Sequence, residues 1–209
     1  MKHFCLFWVF AASAWAQRWE MGIGAGAGVY TSQTLSSAGG AKASAGLAPA
    51  AAITAHIGQD MYRRFGGEVR YTWQMSQLKL SSGGQDVRFG AQSHAVEYDA
   101  MIHFGGVEAN VRPYVMFGGG MKLFQGTGAE QVVQPLNQFA YLTQTSEWKP
   151  MLSAGAGVKY RVGRKALFRI EARDQMTPFP GKLIAPSNGQ APGGWLHDFL
   201  ILAGLSYSF

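Results

Sequence analysis

A strict alternation of apolar and polar residues recurs along most of this chain and is the feature that most constrains its fold. In residues 19–30, Trp, Met, Ile, Ala and Val occupy every second position, and mostly glycines lie between them. Successive side chains of a β-strand point to opposite faces, so this period predicts a strand with one apolar face. The pattern recurs near residues 47–57, 65–75, 96–104, 112–123, 152–161, 168–173 and 198–209. The sequence therefore predicts an all-β fold with eight strands.

The connections between these strands alternate in length. Short connections follow the second, fourth and sixth strands, near residues 59–64, 105–110 and 163–166. Long connections, rich in Ser, Gln, Asn and Pro and therefore expected to be solvated loops, follow the other strands, near residues 31–46, 79–90, 125–149 and 177–194. Antiparallel strands with short turns at one end and long loops at the other are typical of an up-and-down transmembrane β-barrel of outer membranes.

The two faces of the strands differ in charge. The apolar face carries no charge in mid-strand, which favours a lipid-facing exterior, since a closed barrel pairs every backbone group without leaving an edge. The opposite face is then the lumen. Its charged residues are predicted to form a salt-bridge network: Glu20, Glu68, Arg70, Glu97, Asp99, Arg112, Lys122, Lys159, Arg161, Arg169, Glu171, Arg173 and Asp198.

Composition agrees with a barrel and excludes other classes. Hydrophobic residues make up 47% and charged residues 14% of the chain, while the mean hydropathy of −0.02 excludes a bundle of membrane helices. An aromatic content of 13% excludes a disordered chain. The net charge is +6, but no run of Lys or Arg exceeds two residues, so nucleic acid is not an expected partner.

The N-terminus has the features of a secretory signal peptide. A basic start is followed by a short apolar stretch and by Ala14 and Ala16 at the spacing of a cleavage site. We predict a signal peptide at residues 1–16 and a barrel domain at residues 17–209. Cleavage would remove Cys5, the one cysteine of the sequence, so the exported chain would have neither a disulfide nor a thiolate metal site.

Several motifs resemble those of small OmpA/OmpX-like bacterial outer-membrane barrels. Residues 111–120 look like the R-P-Y…G-x-G strand of that family, and residues 154–160 and 168–174 look like its sixth and seventh strands. The final strand ends in alternating apolar residues, Leu205, Tyr207 and Phe209. The resemblance implies an outer-membrane location, contact with outer-membrane lipid, and reading of the last strand by the barrel-assembly machinery during insertion. It does not imply cell-wall anchoring.

The interior of an eight-stranded barrel is just wide enough for side chains to fill. Six acidic and seven basic residues are predicted there, so we expect a side-chain-filled lumen and a structural or surface-interaction role. One alternative is a narrow pore gated by rearranged ion pairs. A second is a soluble lipocalin-like carrier, in which the aromatic face would surround a ligand.

The long loops are the expected contact with a surface ligand, because loops on a rigid scaffold commonly carry recognition. Residues 125–149 are unusually apolar for a solvated loop. The alternative is that these apolar residues extend the strands or pack onto neighbouring loops.

No catalytic residue, cofactor site or metal site is predicted. Ser93 precedes His94 and His197 precedes Asp198, but adjacent strand residues point to opposite faces and cannot form a dyad. No spacing typical of a metal-binding motif occurs.

Overall fold

A computed structural model describes residues 18–189 and 192–209 of the chain, and β-strands dominate this part. The predicted signal peptide, with Ala14 and Ala16, lies outside the described residues. The strands are β1 (Arg18–Tyr30), β2 (Gln33–Ser36), β3 (Lys42–Leu47), β4 (Ala50–Asp60), β5 (Phe65–Ser82), β6 (Gln85–His103), β7 (Val111–Gly126), β8 (Ala140–Leu142), β9 (Ser146–Arg161), β10 (Ala166–Pro178), β11 (Ile184–Pro186) and β12 (Trp195–Ser208). No helix in this part of the chain is long and apolar enough to cross a membrane.

Eight long strands form a closed antiparallel ring in the order β1, β4, β5, β6, β7, β9, β10 and β12. The ring closes where β1 pairs with β12, with Ala25 opposite Ala203. The predicted fold class is therefore confirmed. Short turns join the strands at one end, here called the turn end, and the long connections lie at the other, here called the loop end. The short strands β2, β3, β8 and β11 belong to the loop end and were not predicted.

The ring is apolar outside and polar inside. Ile23 and Ile201 on the outer face are 69% and 68% exposed, whereas Arg70 and Asp198 on the inner face are each 1% exposed. A soluble barrel has the reverse arrangement, because water would then surround the polar face. The polarity therefore agrees with an outer surface that contacts lipid.

The polarity of the two faces reverses in the parts of β5 and β6 nearest the loop end. Beyond Met75, Gln77 and Lys79 continue the outer face, while Leu78 and Leu80 continue the inner face and are fully buried. The prediction of a solvated loop at residues 79–90 is therefore wrong. The alternation continues here with apolar side chains inside and polar ones outside, which agrees with water rather than lipid around this part of the ring.

The β5–β6 hairpin closes on two glycines. Gly83 and Gly84 have φ angles of 57° and 81°. A two-residue hairpin turn of this type needs a positive φ at both central residues, which glycine adopts without a steric penalty.

An apolar cap closes the loop end. The β2–β3 hairpin extends the sheet by pairing with β5, and β8 pairs with β11. Leu136, Phe139 and Leu142, from the predicted loop 125–149, are buried in the same core as Leu78 and Leu80. These loop residues therefore pack onto neighbouring loops and strands, as the alternative interpretation of the sequence expected.

Candidate functional site

The lumen holds a large set of buried charged side chains. Inward positions of seven ring strands supply the thirteen charged residues that the sequence assigned to it. Twelve are buried, and Arg161 at the turn end is partly exposed. The ring closes around these strands, so residues far apart in sequence meet: Lys159 of β9 contacts Glu20 of β1, 139 positions away.

Arg169 is the centre of the ionic cluster nearest the turn end. Its Nη1 lies 3.2 Å from Glu20 Oε1 and 2.6 Å from Glu68 Oε2, and its Nη2 lies 3.2 Å from Glu171 Oε2. The same guanidinium donates a 3.1 Å hydrogen bond to the Tyr114 hydroxyl. One cation therefore holds three carboxylates that come from three different strands.

Two further cations share these carboxylates. Arg70 lies 2.5 Å from Glu68 Oε1 and 2.7 Å from Glu171 Oε1. Lys159 Nζ donates to Glu20 Oε2 at 2.6 Å. Buried carboxylates are stable only when cations or hydrogen-bond donors replace their water, and here each is contacted by at least two cations.

A second group of contacts surrounds Arg173. This guanidinium pairs with Glu97 and, at 3.0 Å, with Asp99. Ser153 donates to Asp99 at 2.5 Å, and Gln175 donates to Glu97 at 3.1 Å. The Glu97 and Asp99 carboxylates, two residues apart on β6, are therefore held by one arginine and two neutral donors.

Lys122 lies where the polar lumen meets the apolar cap. Its Nζ is 2.6 Å from Asp198 Oδ2 and donates to the amide oxygens of Gln74 and Gln175, each at 3.0 Å. The ammonium also lies 4.9 Å from the centre of the Tyr30 ring. The side-chain amide of Gln175 therefore links the Lys122–Asp198 pair to the group of contacts around Arg173.

Arg112 and Arg161 do not join these clusters, although the sequence assigned them to one network. Arg112 lies 2.8 Å from Asp60 Oδ2, and Arg161 donates to the backbone oxygen of Val107 at 2.7 Å. Both lie at the turn end, because Arg112 is near the start of β7 and Arg161 is the last residue of β9.

The sequence interpretation missed several neutral or turn-end partners of these charges: Asp60, Gln74, Tyr114, Ser153 and Gln175. Their positions in the strands could have revealed them. Four of these residues lie at inward positions of their strands, and Asp60 is the last residue of β4, beside a turn. The predicted network is defined by charge, so the uncharged inward residues fall outside it.

Two small cavities lie among these side chains. A cavity of about 20 Å³ lies at the turn end beside Arg112 and Lys159, and one of about 10 Å³ lies beside Arg70 and Arg169. A cavity of this size holds about one water molecule. The lumen is therefore packed with side chains at both positions.

Neither adjacent polar pair of the sequence forms a dyad. Ser93 points inward and bonds Gln74, whereas His94 points outward and bonds the Tyr71 hydroxyl at 2.7 Å. Asp198 points inward to Lys122.

His197 points outward and instead pairs with Asp174 of β10, with 2.7 Å between Nδ1 and Oδ2. The sequence interpretation missed this pair, which lies on the outer face. Among the described residues, no group of His, Cys, Asp and Glu side chains is arranged to hold a metal ion.

The three residues of the predicted assembly signal lie together on the outer face of the last strand. Leu205, Tyr207 and Phe209 are 58%, 49% and 52% exposed. Phe209 also exchanges two backbone hydrogen bonds with Trp19, at 2.9 and 3.0 Å, which seal the ring beside the turn end. Their role in assembly stays a prediction.

Comparison with known proteins relates this geometry to a family. A family model described as "Outer membrane protein beta-barrel domain" matches residues 3–209. The crystal structure of OprG from Pseudomonas aeruginosa is similar at 16% identity and a TM-score of 0.60, covering 91% of this chain and 95% of that one. That of Neisserial surface protein A is similar at 14% identity and a TM-score of 0.56, covering 92% and 97%. Among curated proteins there is no match.

Proposed function

Since this chain belongs to the outer membrane protein beta-barrel domain family and lies in the outer membrane, we propose that it is a non-catalytic barrel with a filled lumen. In this proposal the loop end of the barrel contacts molecules at the cell surface. Barrels of this class have short periplasmic turns and longer extracellular loops, so the turn end faces the periplasm. The observation that carries the proposal is the interior of the ring, where cross-strand ion pairs occupy the lumen and the apolar cap covers them.

The filled lumen is supported by the way the charges are shared. Arg169 and Arg173 each contact three carboxylates and share Glu171, so opening a water path would separate several pairs together. Breaking one buried pair costs about 3–5 kcal/mol. A pore gated by rearranging these pairs would therefore require a large change in free energy, which favours a structural role for the network.

We expect the purified protein to add no resolved conductance step to a planar lipid bilayer. The two interior cavities beside the ion pairs have room for about one water each, which supports a lumen without a continuous aqueous path for ions. Single-channel recording checks this, with a large-pore porin in the same bilayer as the positive control. Stable, large and reproducible steps would contradict the filled lumen and favour the gated pore.

Surface contact is supported by two valines at the loop end. Val132 is fully exposed and Val133 is 75% exposed. The same loop is anchored by Leu136, Phe139 and Leu142, which are buried in the cap. The anchor reduces the conformational freedom that the loop would lose on binding, and exposed apolar side chains on an ordered scaffold are a common contact surface.

Replacing both valines by serine is expected to weaken adhesion of bacteria carrying this protein to a host-cell layer by about tenfold, since each valine would lose its apolar contact. Counting adherent bacteria at equal surface expression measures this. The matched control is Val162→Ser, because Val162 is equally apolar and 62% exposed but lies at the turn end. Unchanged adhesion of the double variant would remove these valines from the contact.

The last strand is proposed to carry the assembly signal. Leu205, Tyr207 and Phe209 form one apolar row beside the seam between β1 and β12. This supports reading of β12 by the assembly machinery before the ring closes, while β12 still offers a free edge.

A further inference from the structure

The net positive charge of the chain is concentrated at the turn end. Two acidic residues, Asp60 and Glu108, lie there among seven basic ones. The basic residues are Arg18, Arg63, Arg64, Arg112, Arg161, Arg164 and Lys165. This excess of five matches most of the formal charge of +6, because acids and bases nearly balance in the lumen and at the loop end.

Most of this turn-end charge is not neutralised within the protein. Arg18 pairs with Glu108 and Arg112 pairs with Asp60, each at 2.8 Å. Over residues 18–189 and 192–209, four other turn-end cations have no carboxylate within 4.0 Å: Arg63, Arg64, Arg164 and Lys165. Their positive charge is available to an anion outside the chain.

The turn between β4 and β5 combines this charge with apolar side chains. Tyr62 N–H donates to Phe65 O at 3.0 Å and closes the turn. Met61, Tyr62 and Phe65 are 37%, 74% and 54% exposed and line a shallow hollow together with Arg63 and Arg64. Phe65 begins β5, so this hollow is continuous with the lipid-facing outer surface.

We infer that this turn binds an anionic phospholipid of the inner leaflet, with Arg63 and Arg64 on the phosphate and Met61, Tyr62 and Phe65 against the acyl chain. Guanidinium groups bind phosphate oxygens in a bidentate manner, and basic residues near a membrane surface are attracted to anionic lipids. Aromatic side chains favour the membrane–water interface. A free anion would use the arginines alone, whereas a lipid uses both parts of the hollow. The inference depends on the outer-membrane location and not on the surface contact proposed above.

The test measures which lipids stay bound to the protein. The chain is placed in nanodiscs with equal amounts of phosphatidylglycerol and phosphatidylcholine of the same acyl chains, and native mass spectrometry counts the lipids retained. Wild-type protein is expected to retain phosphatidylglycerol preferentially, and R63A/R64A is expected to lose that preference by roughly tenfold. The matched control is K42A/R88A, which removes two exposed charges at the loop end and is expected to keep the preference.

Three results would overturn the inference. One is an unchanged preference in R63A/R64A, with folding verified by the heat-dependent gel mobility of the barrel. Another is an equal loss in K42A/R88A, which would mean that net charge alone is measured. The third is displacement of phosphatidylglycerol by millimolar inorganic phosphate, which would identify a phosphate site without acyl-chain contact. A loss of retention in Tyr62→Ser would support the acyl-chain contact separately.

Discussion

Replacing Arg169 by leucine is expected to destabilise the barrel by about 3–5 kcal/mol, because the change leaves buried charges without their cation. Arg169 contacts Glu20, Glu68 and Glu171, and all four side chains are nearly inaccessible to water. Arg70 and Lys159 would remain, but each reaches only part of this set. The result is measured as the free energy of unfolding in urea, with the protein inserted in lipid vesicles.

The control for this prediction is Arg88→Leu, which removes an exposed arginine of β6 at the loop end. Surface substitutions away from such contacts usually change stability by less than about 0.5 kcal/mol. If the two variants unfolded at the same urea concentration, the ionic cluster would not stabilise the barrel. A variant that keeps the charge, Arg169→Lys, is expected to fall between them, since an ammonium cannot reproduce the planar fork of the guanidinium.

Replacing Gly120 by valine is expected to prevent the barrel from closing. A Cβ atom at this position would lie 1.9 Å from the backbone oxygen of Val96 and 2.7 Å from the Cα of Glu97, on the neighbouring strand β6. These are backbone atoms, so the β6–β7 pair would have to separate, at a greater cost than the roughly 1–3 kcal/mol of ordinary overpacking. The variant should run entirely as the unfolded form on a gel without heating.

Gly39→Val is the matched control, because a Cβ there meets nothing closer than the Ser37 hydroxyl at 3.9 Å. That variant is expected to fold like the wild type. If Gly120→Val gave as much folded band on the unheated gel as the wild type, β6 and β7 would tolerate a wider separation. The graded variant Gly120→Ala is expected to show a reduced folded fraction.

The sequence predicted the ring well because its strands obey a single local rule. In β1, every second residue from Trp19 to Val29 lies on the outer face, as the alternation required. Inward position alone also located Glu68, Arg70 and Arg173 in the interior. A strand has only two faces, so local pattern is sufficient to assign each side chain to one of them.

The partners of these charges could not be predicted in the same way. Arg169 meets Glu20, which lies 149 positions away, because β1 and β10 both flank β12 in the closed ring. Arg112 and Arg161 lie on the predicted inner face, but they are at the turn end of the barrel, beyond the ionic clusters. The height of a residue depends on strand tilt and register around the whole ring, which the pattern of one strand does not contain.

The reversal of polarity in β5 shows the same limit. Leu78 and Leu80 continue the inward row of Arg70 and Gln74, whereas the sequence predicted a strand only over residues 65–75 and a solvated loop at residues 79–90. Alternation reveals two faces, and the medium outside decides which face is apolar. For this protein, the sequence by itself determined the class of fold, the ring strands and the inward row of charges. The tertiary structure alone decided which charges pair, where the apolar outer face ends and how the loops form a cap, because these depend on contacts across the closed ring.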